Sequence, residues 1–140
     1  MTVQNADRLI SRMQALSPAM EAPIMDALNT SADEMVALAI ERVNENSGTG
    51  REYRRHGRTH IASSPGEYPN TDTGELVAEM RSEPAGFLAV MWSSFCDHLK
   101  PLELGTSRMA ARPVLRPTFA ALVGSAQARV NTAVKAVLGG

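Results

Sequence analysis

A gap in the hydrophobic pattern constrains this chain more than any other feature. From Glu45 to Glu75 it carries Gly48, Gly50, Gly57, Gly66 and Gly74 with Pro65 and Pro69, and almost no aliphatic residue. Such a stretch cannot supply a core element, so any core must join the segments on either side of it. A loop of this length within a domain is usually functional or disordered. The chain has 140 residues, 44% of them hydrophobic, which suits one domain with a modest core. A single domain over residues 1–140 is therefore expected. It should be helical over 1–46, a basic glycine-rich loop over 47–75, β-rich over 76–116 and helical again over 117–138.

The helical assignments rest on periodicity. Leu9, Ile10, Met13 and Leu16 fall on one side of a short amphipathic piece from Ala6 to Leu16. Ser17-Pro18 is expected to interrupt it, because the residue before a proline avoids the helical region. Pro23 suits the first turn of a second helix, where its missing N–H costs nothing. In that helix Ile24, Leu28, Met35, Leu38 and Arg42 fall on one side, spaced by three, four or, between Leu28 and Met35, seven residues, and Val36, Ile40 and Val43 add a second apolar strip. The second strip is either covered within the domain or contacts a neighbouring subunit. In the C-terminal helix Leu115, Phe119, Leu122, Ala126, Val130, Ala133 and Val137 repeat at the same spacing, and Gly139-Gly140 forms a stop.

Between these helices the pattern changes. Leu76–Met80 and Phe87–Trp92 read as short strands, with Glu83-Pro84-Ala85-Gly86 as the turn of a hairpin. Phe95–Leu104 reads as a helical turn followed by a short strand. The expected fold class is α+β: a long N-terminal helix, a small antiparallel sheet with a long loop insertion, and a C-terminal helix.

Charge and residue chemistry narrow the function. The formal net charge is −1, so any nucleic-acid contact must be local. Aromatic residues make up only 4%, and the many Met and Ala residues suit long helices and surfaces that repack against partners. Cys96 is the sole cysteine, which excludes an internal disulfide. His56 and His60 are four apart, but Gly57 between them argues against a helical metal site. Cys96-Asp97-His98 are sequence neighbours, and catalytic groups meet in space rather than along the chain. Gly48-Thr49-Gly50 lacks the Lys-Ser/Thr of a phosphate loop. No catalytic, cofactor-binding or metal site is therefore expected.

The strongest local electrostatic feature is Arg51, Arg54, Arg55 and Arg58, opposed only by Glu52. This cluster could face DNA phosphates, contact a partner protein or lie in solvent. Further on, Gly105 can take a positive φ, Arg108, Arg112 and Arg116 recur every four residues, and Pro113 and Pro117 stiffen the approach to the last helix.

Leu102-Glu-Leu-Gly-Thr-Ser107, Arg108-Met-Ala-Ala-Arg-Pro113 and Leu115-Arg-Pro117 together resemble the E-x-G-T-[ST]-x-M-x-A-[RK]-P-x-L-R-P run of a tail-component family of tailed bacteriophages. Upstream, Ala62-Ser-Ser-Pro-Gly-Glu-Tyr-Pro69 and Asp72-Thr-Gly-Glu-Leu76 resemble the same family's A-S-x-P-G-x-x-P and D-T-G-x-L elements. The order of elements also agrees, and the resemblance spans residues 20–138. The chain departs from the pattern at Leu104, where the family usually has an aromatic residue, at Val114, where Phe is common, and at Phe95–His98, where tyrosine-alanine is common.

The resemblance implies a structural virion protein of the siphovirus-type neck, acting in head–tail joining or tail completion, and not an enzyme. It implies a ring, expected to be hexameric, between head-closure or adaptor proteins and the tail terminator or tube. Genomic DNA would pass through the lumen. Assembly would take place in the bacterial host cytoplasm, with no membrane partner. On this reading Val36, Ile40, Val43, Gly105, Thr106, Met109, Arg112 and Arg116 are candidates for subunit or partner contact, and Arg51, Arg54, Arg55 and Arg58 for a loop facing the lumen or a partner. The alternative is a nucleic-acid-binding module built on Arg51–Arg58. A small hydrolase is a third class, for which the three histidines lack convincing partners.

Overall fold

The computed structural model describes residues 4–139. Helix α1 runs unbroken from Gln4 to Glu45, with Pro18 and Pro23 inside it. The expected interruption at Ser17-Pro18, and the new start at Pro23, are therefore corrected. Each proline removes one backbone donor and leaves the other helical bonds in place, and the Met, Ala, Leu and Glu residues around them are good helix formers. The side chains of Leu9, Met13 and Leu16 lie outside the described residues, as does Gly140, while Ile10 is half exposed.

Strands β1 (Glu52–Arg55) and β2 (Arg58–Ile61) form an antiparallel hairpin. The expected unstructured loop over 47–75 therefore contains a folded ribbon. His56 and Gly57 both have positive φ, 50° and 79°, as a two-residue hairpin turn of the kind that matches strand twist requires. Tyr53, Thr59 and Ile61 are strand formers, but none of the ribbon is apolar enough to declare itself by burial.

One helical turn, α2 (Glu75–Ala78), precedes a second hairpin of β3 (Met80–Gly86) and β4 (Ala89–Ser94). Leu76–Met80 is thus mainly helical rather than a strand. The chain reverses at Phe87-Leu88, not at Glu83–Gly86, which belongs to β3. The register explains the shift. Pairing Met80 with Ser94 and Ser82 with Trp92 places Met80, Trp92 and Val90 on one face, where they are buried or half buried. Pro84 is tolerated because each strand of a two-stranded sheet has a free edge, and the register slips between Pro84 and Gly86. The β-structure is two separate ribbons and not one sheet. Helix α3 (Leu99–Leu104) occupies the place of the strand expected after Phe95.

Helix α4 (Leu115–Gly139) starts two residues earlier than expected, with Pro117 in its first turn. It lies antiparallel to α1: Val114, just before α4, meets Val43 near the end of α1, and Arg129 reaches back to Glu34 at 2.6 Å. The core joins Ala39, Val43, Leu76, Met80 and Val114, with Val36, Ile40, Tyr68, Trp92, Leu102 and Leu115 packed around them. Val43 is fully buried and Val36 and Ile40 lie against it, so the second strip of α1 is covered by the chain itself. Cover within the domain is complete at Val43, while Val36 and Ile40 remain partly exposed. Phe119 departs the other way: periodicity places it with the inward residues of α4, yet it is 51% exposed.

Candidate functional site

The two motif runs, some forty residues apart along the sequence, form one interlocked unit. Gly105 turns the chain at φ 74°, and a side chain there would place its Cβ 2.9 Å from the Met109 carbonyl oxygen and 3.0 Å from the Ala111 nitrogen. Thr106 and Met109 close a tight turn, with the Thr106 amide donating to the Met109 carbonyl at 2.8 Å. The chain then runs back beside α3, where the Arg112 amide donates to the Leu102 carbonyl at 2.7 Å.

Glu103 fixes the start of the last helix. Its side chain is buried, and its carboxylate accepts the amides of Val114 at 2.7 Å and of Leu115 and Arg116 at 2.9 Å each. The first N–H groups of a helix have no partner inside the helix, and a negative charge there also opposes the helix dipole favourably. Glu103 is thus the cap of α4, supplied from α3.

The upstream run clasps this unit from the other side. The Gly66 amide donates to the Ala111 carbonyl at 2.9 Å, and Arg112 Nε donates to the Ser63 carbonyl at 2.8 Å. Glu67 ties the run to itself: Oε2 accepts the Ser64 amide at 2.9 Å and Oε1 accepts the Thr49 hydroxyl. These bonds to the ionised form, that from Thr49 foremost, hold the Glu67 carboxyl below its ordinary value, and the nearby Arg112 charge adds to them against slight desolvation. The Tyr68 hydroxyl lies 3.2 Å from Thr118 Oγ1 on α4.

Beneath the β1–β2 ribbon the two runs border an open cleft of about 480 Å³, lined among others by Tyr53, His60, Asp72, Leu102, Met109 and Arg112. Asp72, of the Asp-Thr-Gly element, holds the ribbon down. It pairs with Arg55 at 2.8 Å and lies 3.9 Å from His60 Nδ1. His98 Nε2 lies 3.3 Å from Glu75 at the far wall. His60 and Tyr53 meet edge to face at 5.2 Å.

The structure separates the four arginines of the ribbon. Register puts Arg55 and Arg58 on the face with Tyr53 and His60, and Arg54 on the opposite face with Glu52 and Thr59, while Arg51 precedes β1. They do not form one clamp. Of the candidates for partner contact, Gly105 is a turn, Met109 lines the cleft and the Arg112 side chain is used inside the chain; only Thr106 and Arg116 are freely exposed. The Arg112 guanidinium serves the Ser63 and Ala110 carbonyls as an internal clasp.

Residues that carry reactive chemistry elsewhere are dispersed here. Cys96 packs half buried against the core, whereas Asp97 and His98 are exposed. His56 sits in the hairpin turn, and His60 faces the cleft. Sequence reasoning missed Glu103, Glu67 and Asp72. A lone acid within a basic run was the available sign for Glu103. Comparison of the chain with family models, with curated proteins and with solved structures finds no match. Among the described residues no helix is long and apolar enough to cross a membrane.

Proposed function

We propose that this chain is a structural subunit of the neck of a tailed phage, forming a ring between the head-closure proteins and the tail tube. One observation carries the reading. The two sequence runs that resemble the phage family are the two halves of a single clasp, joined by the Gly66–Ala111 and Arg112–Ser63 bonds. Their defining residues turn the chain, cap a helix and lock two segments. Such roles fit a protein whose task is to hold surfaces in fixed positions rather than to transform a substrate.

The shape supports the same reading. Helix α1 has 42 residues and α4 has 25, so in their antiparallel pairing α1 outruns α4 by roughly 25 Å at the usual rise per residue. The described side chains from Arg8 to Ala19 are exposed on this extension. A rod of that kind reaches a neighbour or an adjoining ring. The exposed Arg51, Arg54 and Arg58 of the ribbon would meet the DNA in the lumen or an acidic partner. The protein would then reside in the virion, after assembly in the host cytoplasm.

Deletion of the gene from a strain that produces the particles tests the proposal. Negative-stain images should show filled heads and finished tails that remain unjoined, and the gene supplied in trans should restore joined particles. Joined, infectious particles made without the gene would overturn the reading.

A further inference from the structure

The cleft beneath the ribbon adjoins a second cavity. This one, of about 410 Å³, lies at the turn end of the hairpin and is lined among others by His56 and Arg58. Arg55, His60, Asp72 and Thr73 line both cavities, so the two share a wall. Their chemistry differs. The cleft offers apolar surface from Leu102 and Met109 and the ring of Tyr53. Tyr53 is 37% exposed, so part of its side chain is open to a ligand, and His60 meets its ring edge to face.

The second cavity is basic. Arg55 and Arg58 are direct partners across the ribbon, on the face that carries Tyr53 and His60. Like charges in that position repel. Asp72 is the one acid lining this cavity, and it pairs with Arg55 Nη1 at 2.8 Å. Arg58 is exposed and makes no ion pair among the described residues, so one positive charge stays uncompensated. His56 and Thr73, which carry groups able to donate hydrogen bonds, line the same cavity.

We propose that the two cavities form one binding site for a nucleotide, with the base in the cleft against Tyr53 and the phosphate between Arg58 and Arg55. Charge and shape decide the class together. A phosphate supplies the anion that the opposed arginines lack, and guanidinium groups bind phosphate oxygens by charge-assisted, often paired, hydrogen bonds. A bare anion would leave the cleft unfilled, and an uncharged apolar ligand would leave Arg58 unanswered. A base is flat and stacks on an aromatic ring whatever its identity. Tyr53 and Arg55 stand two residues apart on one face of β1, about 7 Å along the strand, a span that the sugar between a base and its phosphate can bridge. An acidic peptide would answer the arginines and not the ring. A duplex keeps its bases in the stack, so the ligand is a free nucleotide or an unpaired unit of a single strand, with the same chemistry in both. The site goes beyond the neck reading and does not rest on it.

Amide shifts of the full chain, followed by NMR, test it with deoxyadenosine monophosphate, deoxyadenosine and inorganic phosphate as probes. Circular dichroism verifies the fold of each variant. The monophosphate should bind with shifts centred on Tyr53, His60 and Arg58, and each half alone should bind about tenfold more weakly or worse. Arg58→Gln should weaken the monophosphate by about tenfold, the value of a lost charge-assisted hydrogen bond, and leave deoxyadenosine unchanged. Tyr53→Leu should weaken both by about tenfold, as for a lost base stack. Should that variant unfold the ribbon, the exposed Arg58 still decides. A short deoxyadenosine strand that binds more tightly than the monophosphate supports the site as one for a single strand, and one that binds no more tightly supports it as one for a free nucleotide. No shifts at millimolar monophosphate, phosphate alone bound as tightly as the monophosphate, or an affinity untouched by Arg58→Gln overturns the site. An oligoglutamate peptide that binds as tightly as the monophosphate also overturns it and gives the cavity to an acidic protein. None of these outcomes depends on the gene deletion, so the site and the neck reading fail separately.

Discussion

The Glu103 carboxylate lies 2.7 Å from the Val114 amide nitrogen and also accepts the next two amides, so a side chain on α3 sets where α4 begins. A helix that starts where a proline-flanked connector ends has no side chain of its own in position to do this. The acid eleven residues earlier does it instead, and Val114, whose amide it accepts, is fully buried in the core.

Glu103→Ala leaves three backbone donors without this acceptor at the edge of the core. It should destabilise the protein by about 2–4 kcal/mol, because unpaired buried donors and lost charged acceptors are expensive. Glu103→Gln keeps one acceptor oxygen and should lose less. Urea unfolding of the two variants measures the difference, and equal losses would contradict the capping role.

Gly105→Ala should be damaging out of proportion to its size. The residue sits at φ 74°, and the new Cβ would press on the Met109 carbonyl oxygen and the Ala111 nitrogen, both backbone atoms. The strain should cost about 1–3 kcal/mol. A thermal melt reads it, and an unchanged transition would mean the turn relaxes freely.

Arg112→Lys removes the Nε donor while keeping the charge. The Ser63 carbonyl would lose its partner, since an ammonium does not reproduce the guanidinium fork. A loss of about 1 kcal/mol is expected. Hydrogen exchange at the Gly66 amide, which bonds Ala111 beside it, should accelerate. Unaltered protection at Gly66 would show that the two runs hold together without Arg112.

The Glu67 clasp should be sensitive to acid. Its carboxyl is held below the ordinary 4.5 in the folded protein, mainly by the Thr49 hydroxyl and the Ser64 amide. A depressed folded value means that the stabilisation is complete above the unfolded value and is lost as pH falls through the folded one. The Ser64 amide resonance, followed by NMR, should titrate with a midpoint under 4.5, and Glu67→Gln should abolish that titration. A midpoint at or above 4.5 would contradict the two bonds.

The helices were legible because burial on one face leaves a period in the sequence. Even so, Pro18 and Pro23 misled, since a proline disfavours continuation without forbidding it. The ribbon of β1 and β2 was illegible for the opposite reason. Its residues are nearly all exposed, so no alternation of burial records it, and only the His56-Gly57 turn hinted at it. The strip of Val36, Ile40 and Val43 shows a further limit: periodicity says that a face is covered, not by which element. In the same way, the spacing of Arg112 and Glu103 could not announce bonds to Ser63 and Val114, which depend on how loops fold back.

The ribbon arginines separate fold from function. Arg51, Arg54 and Arg58 are exposed and make no ion pair among the described residues, whereas Arg55 is tied to Asp72. Replacing Arg51, Arg54 and Arg58 with Gln should leave stability within about 0.5 kcal/mol, as for surface positions remote from any built feature. Arg55→Gln loses a partly exposed pair worth about 0–1 kcal/mol and should free the ribbon from the Asp-Thr-Gly element. If the ribbon faces DNA, the triple variant should bind duplex DNA more weakly at every sequence, with a flatter salt dependence of about one logarithmic unit of slope per lost phosphate contact. Arginines on opposite faces of a two-stranded ribbon cannot all reach one backbone, so the slope should fall by less than the full three. Unchanged DNA binding with an unchanged slope would assign these arginines to a protein partner.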